Sequence, residues 1–230
     1  MNVAVLQPSY VPWRGFFHLI QKSDVFVWYD DVQYDKHGWR NRNRVKTPRG
    51  TQWITIPVHS KGNTVEHTAI NQIRVSWEKS WNESHLGVLK SSYGRTPHFG
   101  RYAGMLQEFY SQRPESLADF TIATAERLAR ELGIEKTKFV RSSALGVDGI
   151  KTDRLIALLK ELGATHYISG PSARDYIEQD KFDAAGITLE YMVYDYPPYE
   201  QLYPPFDPQV SILDLLFMTG SDAPKFIWDR

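Results

Sequence analysis

Two short apolar runs near the start of the chain, Val3 to Leu6 and Val25 to Tyr29, bracket a stretch in which Phe16, Phe17, Leu19 and Ile20 fall at helical spacing. Runs of this length and composition read as buried strands, and the interval between them as a helix. Strand, helix and strand inside the first 31 residues constrain the fold strongly. Strands joined by a helical crossover run parallel, and a parallel sheet needs both faces covered. The rhythm returns later in the chain, with strands expected at Phe139 to Arg141, His166 to Ser169 and Thr188 to Tyr194. A helix capped by Thr152 and closed by Gly163, and a helical piece near Phe182, lie between them. Ser116 to Leu132 carries the clearest helical pattern, with Ser116 and Asp119 spaced as a cap and Gly133 as the stop. Ser211 to Phe217 reads as the last helix, with Ser211 and Asp214 spaced as a cap and its partner. The expected class is α/β, a mostly parallel sheet flanked by helices, with an inserted β-hairpin and a helical C-terminal half.

The hairpin is expected at about residues 36–58 and a helical segment at about 77–133, within one domain spanning 1–230. Trp39 to Val45 alternates, Pro48-Arg49-Gly50 reads as a turn, and Gln52 to Val58 forms the return strand. Period-2 geometry then sets Arg40, Arg42 and Arg44 on one face, with Trp39, Asn41 and Asn43 on the other. Three guanidinium forks on one face favour an anion, with phosphate the best geometric match. The opposing asparagines would organise the site or form a buried network, since buried amides must be hydrogen-bonded.

Formal net charge is zero, but the balance is uneven, because Lys36 to Arg49 holds six cations and no acid while the C-terminal quarter is acidic. The neutral pI, near 7.1, and the confinement of basic residues to one patch disfavour a nucleic-acid protein. The chain has no cysteine, which excludes disulfides, thiolate nucleophiles and Cys-ligated metals. The seven histidines show no zinc-binding spacing, so no metal site is expected from them. No apolar run approaches the roughly 20 residues of a membrane span. The N-terminus lacks a signal-peptide pattern, and the expected location is the cytoplasm.

Other candidates sit where strands end. Gln7, Ser9, Tyr10 and Trp13 follow the first strand and precede a helix N-terminus, whose amides suit phosphate or carboxylate oxygens. Asp30 and Asp31 end the second strand and are the candidate catalytic carboxylates, as general base or as hard oxygen ligands for Mg2+. Lys151 and Thr152 lie at a helix start, where a lysine opposes the helix dipole unless an anion is near. Ser169 and Gly170 end a later strand, and Gly170 permits close backbone approach. No Gly-x-Ser-x-Gly elbow is present, which argues against a serine nucleophile.

Four blocks, taken together, carry a family likeness. They are Gln7-Pro8-Ser9-Tyr10 with Pro12-Trp13 and Gly15, Trp39 to Arg44, Thr165 to Ala173, and Ser211 to Leu216. In this order the chain resembles the WbqC-like protein family over nearly its whole length. The resemblance implies a setting in O-antigen or other surface-polysaccharide biosynthesis. By extension it implies transfer of an aminoacyl or acyl group to an amino sugar on a nucleotide carrier. The start is also distantly similar to the nucleotide-binding HUP fold, whose His-x-Gly-His position is held here by Pro12-Trp13-Arg14-Gly15. That departure speaks against adenylyl transfer and leaves the architecture and a nucleotide-shaped crevice. In open parallel sheets ligands bind beyond the carboxyl ends of the strands, which points to Gln7 to Gly15, Asp30-Asp31 and Ser169 to Ala173.

The leading expectation is therefore a transferase. Arginines and Lys151 would hold phosphates, an Asp would take a proton, and Gln7, Tyr10 and Ser169 would orient the substrate. Its expected partners are a phosphorylated, nucleotide-linked small molecule and a second copy of the chain. A nucleic-acid module stacking bases on Trp39 and Trp53 is the first alternative. A scaffold using Tyr199 and Tyr203 of the Tyr/Pro-rich segment Asp195 to Pro208 as an aromatic interface is the second.

Overall fold

The structure, a computed structural model, describes residues 1–59 and 68–228. Its strands are β1 (Asn2–Leu6), β2 (Val25–Trp28), β3 (Arg42–Thr47), β4 (Gly50–Thr55), β5 (Lys138–Arg141), β6 (His166–Ser169) and β7 (Thr188–Tyr191). Its helices are α1 (Arg14–Lys22), α2 (Trp81–Tyr93), α3 (Phe99–Ser111), α4 (Leu117–Glu131), α5 (Lys151–Glu161), α6 (Gln179–Ala185) and α7 (Ile212–Thr219). Five strands form one parallel sheet in the order β5-β2-β1-β6-β7, and β3 and β4 form a separate antiparallel pair. The α/β class expected from the sequence is the class observed.

The two faces of the sheet are written in the strand sequences. Val3, Val5, Val25, Val27 and Tyr167 pack with Leu155, Ile156 and Leu159 of α5 and Phe182 of α6. The alternate residues Ala4, Phe26, Trp28 and Ile168 join Phe16, Phe17, Leu19 and Ile20 of α1 in the larger core. The register pairs Val3 with Val25 and Val5 with Val27, so like faces line up across the strands. Each fully buried side chain of this kind contributes about 1.5–3 kcal/mol, which fixes the register against a one-residue slip.

The helical segment expected near 77–133 is α2, α3 and α4. Ser116 caps α4, its Oγ accepting the Asp119 amide at 3.2 Å. The expected capping role of Thr152 is corrected, because α5 starts at Lys151 with Ile150 as the cap residue. Thr152 is buried in the first turn, and its hydroxyl accepts the Glu178 amide at 3.4 Å. β7 ends at Tyr191, three residues before the expected Tyr194.

The hairpin begins three residues later than its sequence pattern suggests. Trp39 leaves the ladder because its carbonyl accepts the Tyr10 amide at 3.1 Å. Asn41 stays outside β3, pairing through its carbonyl and side chain with Ile56. Pro48 and Arg49 make the turn, and Gly50 takes the φ of +100° that closes it. The Tyr93 hydroxyl donor–acceptor pair fastens β3 to α2, since it accepts the Lys46 amide at 2.7 Å. On the other side the Ser211 amide donates to the Arg44 carbonyl at 2.9 Å, so β3 also meets the start of α7. Among the described residues, no helix is long and apolar enough to cross a membrane.

Candidate functional site

The strand order changes direction between β1 and β6. From β1 the chain builds outward through β2 to β5, then returns to the other side of β1 for β6 and β7. The carboxyl ends therefore present Ser142 and Ser143 after β5, Asp30 and Asp31 after β2, Gln7 after β1 and Gly170 after β6 along one edge. The gap between β1 and β6 is the switch point where ligands of such sheets bind.

The loop from Gln7 to Trp13 is held rigidly at that gap. Val11 has φ +36°, a left-handed conformation that a β-branched residue adopts only under constraint. The constraint is Asn43, whose Nδ2 donates to the carbonyls of Tyr10 and Val11, both at 2.9 Å. Its Oδ1 accepts the Arg44 amide at 2.7 Å, so the buried amide is fully used. Arg40 adds a second clamp, with Nη1 donating to the Gln7 carbonyl (3.1 Å), the Pro8 carbonyl (3.3 Å) and Ser9 Oγ (3.0 Å). Burial pulls the Arg40 pKa down to about 10, with Asp35 and Tyr34 opposing that shift.

The row of three arginines on one face is corrected by this geometry. Arg40 precedes β3 and turns to the β1–α1 loop. Arg42 and Arg44 remain on the strand with Lys46, and each has other business. Arg42 donates to the carbonyls of His37 and Gly38, and its guanidinium lies 4.5 Å from the Trp53 ring centre. Arg44 pairs with Asp207 at 3.4 Å and reaches Gln209. Only Arg40 touches the loop after β1.

Tyr10 is anchored in the core. Its hydroxyl shares hydrogen bonds with His85 Nδ1 (3.0 Å) and the Tyr110 hydroxyl (2.5 Å). Burial pushes the Tyr10 pKa well up, and pushes that of His85 down to about 4. The expected substrate contact by Tyr10 is replaced by support of the loop from below. Ser9 and Ser169 are also buried, and Ser169 Oγ is bonded to the Tyr167 hydroxyl at 3.2 Å.

What remains accessible at the switch point is Gln7, Trp13, Gly170 and Tyr194, all half-buried. The Gln7 side chain makes no hydrogen bond to the described residues, and neither does the Tyr194 hydroxyl. Tyr194 Oη lies 3.6 Å from where a Cβ on Gly170 would sit, and its ring meets Trp13 edge-on at 4.9 Å. Burial pushes the Tyr194 pKa up to about 12, so its hydroxyl is a neutral donor. The first turn of α1 is covered, because the Trp13 ring lies over Gly15, where an added Cβ would be 2.3 Å from it. Arg14 follows at the first helical position, bonded to the carbonyls of Pro197 and Phe226. A cation and an indole thus stand where the sequence suggests an anion seat.

Asp30 and Asp31 differ sharply. Asp30 is fully buried, its Oδ1 accepting the Ser143 amide (3.1 Å) and its Oδ2 the Ser143 hydroxyl (2.8 Å), with Ser142 Oγ 3.2 Å away. Asp31 is partly exposed and accepts the Ser142 hydroxyl (2.6 Å) and Arg154 Nη2 (2.5 Å). These acids do not fit Mg2+, because Arg154 already occupies Asp31 and Arg141 lies 4.0 Å from Asp30. Lys151 is exposed with φ +48°, at the start of the helix that carries Arg154.

Sequence reasoning missed Ser142, Ser143, Arg154 and Tyr194. The serines follow a strand and so were open to the carboxyl-end rule, whereas nothing local marks Arg154 or Tyr194. It also read Asp214 as helix capping. Ser211 does cap α7 through its Oγ, which accepts the Leu213 amide at 3.3 Å. Asp214 instead is fully buried, accepting the hydroxyls of Tyr199 (2.7 Å) and Tyr93 (2.9 Å). Burial raises its pKa, against the pull of those bonds. The same bond turns Tyr199 inward, and Tyr203 donates to the Ser92 carbonyl at 2.8 Å. The aromatic interface suggested for this segment is therefore spent on internal packing.

Comparison with known proteins gives a family and no chemistry. The chain is 40% identical over 228 residues to "Uncharacterized protein Rv1507c" of Mycobacterium tuberculosis, covering 98% of this chain and 97% of that one. No solved structure matches it. The model of the WbqC-like protein family matches residues 7–226, a span that takes in every sheet-end loop described above, and the chain belongs to that family.

Proposed function

We propose that the protein is a transferase acting on a phosphorylated, nucleotide-linked small molecule in the crevice beyond β1 and β6, as in surface-polysaccharide biosynthesis. The transferred group is aminoacyl or acyl, carried on an activated ester or thioester whose alcohol or thiol leaves, and the acceptor is the amine of an amino sugar. One observation carries this reading. Two polar side chains without a hydrogen bond to the described residues, Gln7 and Tyr194, stand at the switch point of a parallel sheet, Gln7 on the loop clamped by Arg40 and Asn43 and Tyr194 in the segment after β7. Preorganised polar groups of this kind lower the ordering cost of binding.

In this scheme Gln7, the Tyr194 hydroxyl and the Gly170 backbone orient the substrate. Asp31, the accessible acid, accepts the proton of the incoming amine, with Arg154 and Ser142 holding its carboxylate in place. Asp30 positions the Ser142-Ser143 turn and touches no substrate. Positioned proton transfer contributes about 10²- to 10⁴-fold in rate. The test is transfer of a labelled aminoacyl or acyl group from its thioester to nucleotide-linked amino sugars, read as amide formed and thiol released. Asp31→Asn should lose at least a hundredfold in turnover with binding retained, whereas Asp30→Asn should lower stability first. Normal turnover in Asp31→Asn removes that residue as the base.

A further inference from the structure

Trp39 and Trp53 form an exposed indole pair on the hairpin. They are 37% and 42% exposed, with ring centres 5.0 Å apart. Large apolar rings left this open are unusual when a core is within reach, and here the neighbouring side chains are cations. Arg42 lies 4.5 Å from the Trp53 ring centre, and Arg44 5.7 Å from that of Trp39. Arg42 spends its bonds on the carbonyls of His37 and Gly38 and has no carboxylate partner among the described residues. Lys36 and Arg49, both exposed on the same segment, likewise have none among the described residues. The patch thus combines π-faces with positive charge, of which Arg44 is paired with Asp207 and Arg42 has no acid partner among the described residues. This combination recognises a nucleobase joined to phosphate.

The patch is continuous with the switch-point loop. The Trp39 carbonyl accepts the Tyr10 amide at 3.1 Å, and the next residue, Arg40, grips Gln7, Pro8 and Ser9. A ligand whose base lies on the indoles rests on the segment whose next residue, Arg40, grips the loop after β1.

We propose that Trp39 and Trp53 are the base-stacking platform for a nucleoside diphosphate group, with Arg42 neutralising its phosphates and the remainder of the ligand directed toward Gln7. This rests on the function proposed above and specifies the carrier that the substrate bears. It also assigns a role to Trp53, a residue outside the crevice.

The test uses the full chain, with UDP, ADP and inorganic pyrophosphate as probes, followed by tryptophan fluorescence and calorimetry. UDP or ADP should quench the fluorescence, and pyrophosphate should bind more weakly and leave it unchanged. Trp53→Ala and Arg42→Gln should each weaken nucleotide binding about tenfold while keeping the wild-type melting temperature within a few degrees. Unchanged affinity in Trp53→Ala overturns the platform. If Gln7→Ala weakens binding in that case, the crevice reading survives alone. If no nucleoside diphosphate or sugar nucleotide binds at millimolar concentration, both readings fall. Tighter binding of a single-stranded RNA, with a steep salt slope, would also overturn the small-molecule assignment.

Discussion

At the scale of single residues, the molecule is organised by buried polar groups whose partners are far away in sequence. His85 is the most sensitive of them. Its folded pKa of about 4 lies below the unfolded value near 6.5, because burial disfavours the imidazolium. The unfolded chain therefore binds the extra proton first as pH falls. Stability from this group is complete above about pH 6.5 and is lost progressively toward pH 4, by on the order of 3 kcal/mol. Urea midpoints at pH 7 and pH 5 should differ more in the wild type than in His85→Gln, and equal differences would contradict the assignment. Asn43 is the second case. Asn43→Ala leaves the carbonyls of Tyr10 and Val11 unpaired and should cost about 3 kcal/mol. Asn43→Asp, which keeps the shape but loses the donors, should be destabilised as well. The role of His85 was not legible locally, and that of Asn43 only as a buried, hydrogen-bonded amide. Asn43 reads as one of two inward amides in an alternating run, and only the fold reveals that the strained Val11 is what it holds.

At the scale of elements, the strands and helices were largely legible because their apolar periods were clean. Val3 to Leu6, His166 to Ser169 and the α4 pattern each needed only burial and a cap. Ser116→Ala should cost about 1 kcal/mol in a chemical melt, the usual worth of a cap. Boundaries slipped where a tertiary bond outcompeted the local pattern, as when Tyr10 drew Trp39 off the hairpin ladder. The three arginines show the same limit. Alternation put them on one face, but alternation holds only inside a strand, and Arg40 lies outside it. At α1 the glycine of the first turn makes room for an indole rather than a phosphate. Gly15→Ala should displace Trp13, at about 1–3 kcal/mol from overpacking, with a changed near-ultraviolet spectrum as the readout. An unaltered spectrum would mean that the ring does not rest on that glycine.

At the scale of the whole molecule, the parallel sheet turns scattered residues into one edge. The carboxyl-end rule, applied to the sequence, already pointed to Gln7, Asp30, Asp31 and Gly170, because each directly follows an apolar run. It had no access to Tyr194 and Arg154, which reach the edge from a loop and a helix packed on opposite sides of β6 and β2. The hairpin completes the arrangement by gripping the β1–α1 loop from outside the sheet, through Arg40 and Asn43. Hydrogen exchange of the intact protein, with and without nucleoside diphosphate sugars, tests this account most directly. Added protection should centre on residues 7–13, 169–173 and 39–44. Protection confined to other surfaces, or none with any sugar nucleotide, would contradict a binding crevice at the β1–β6 switch point.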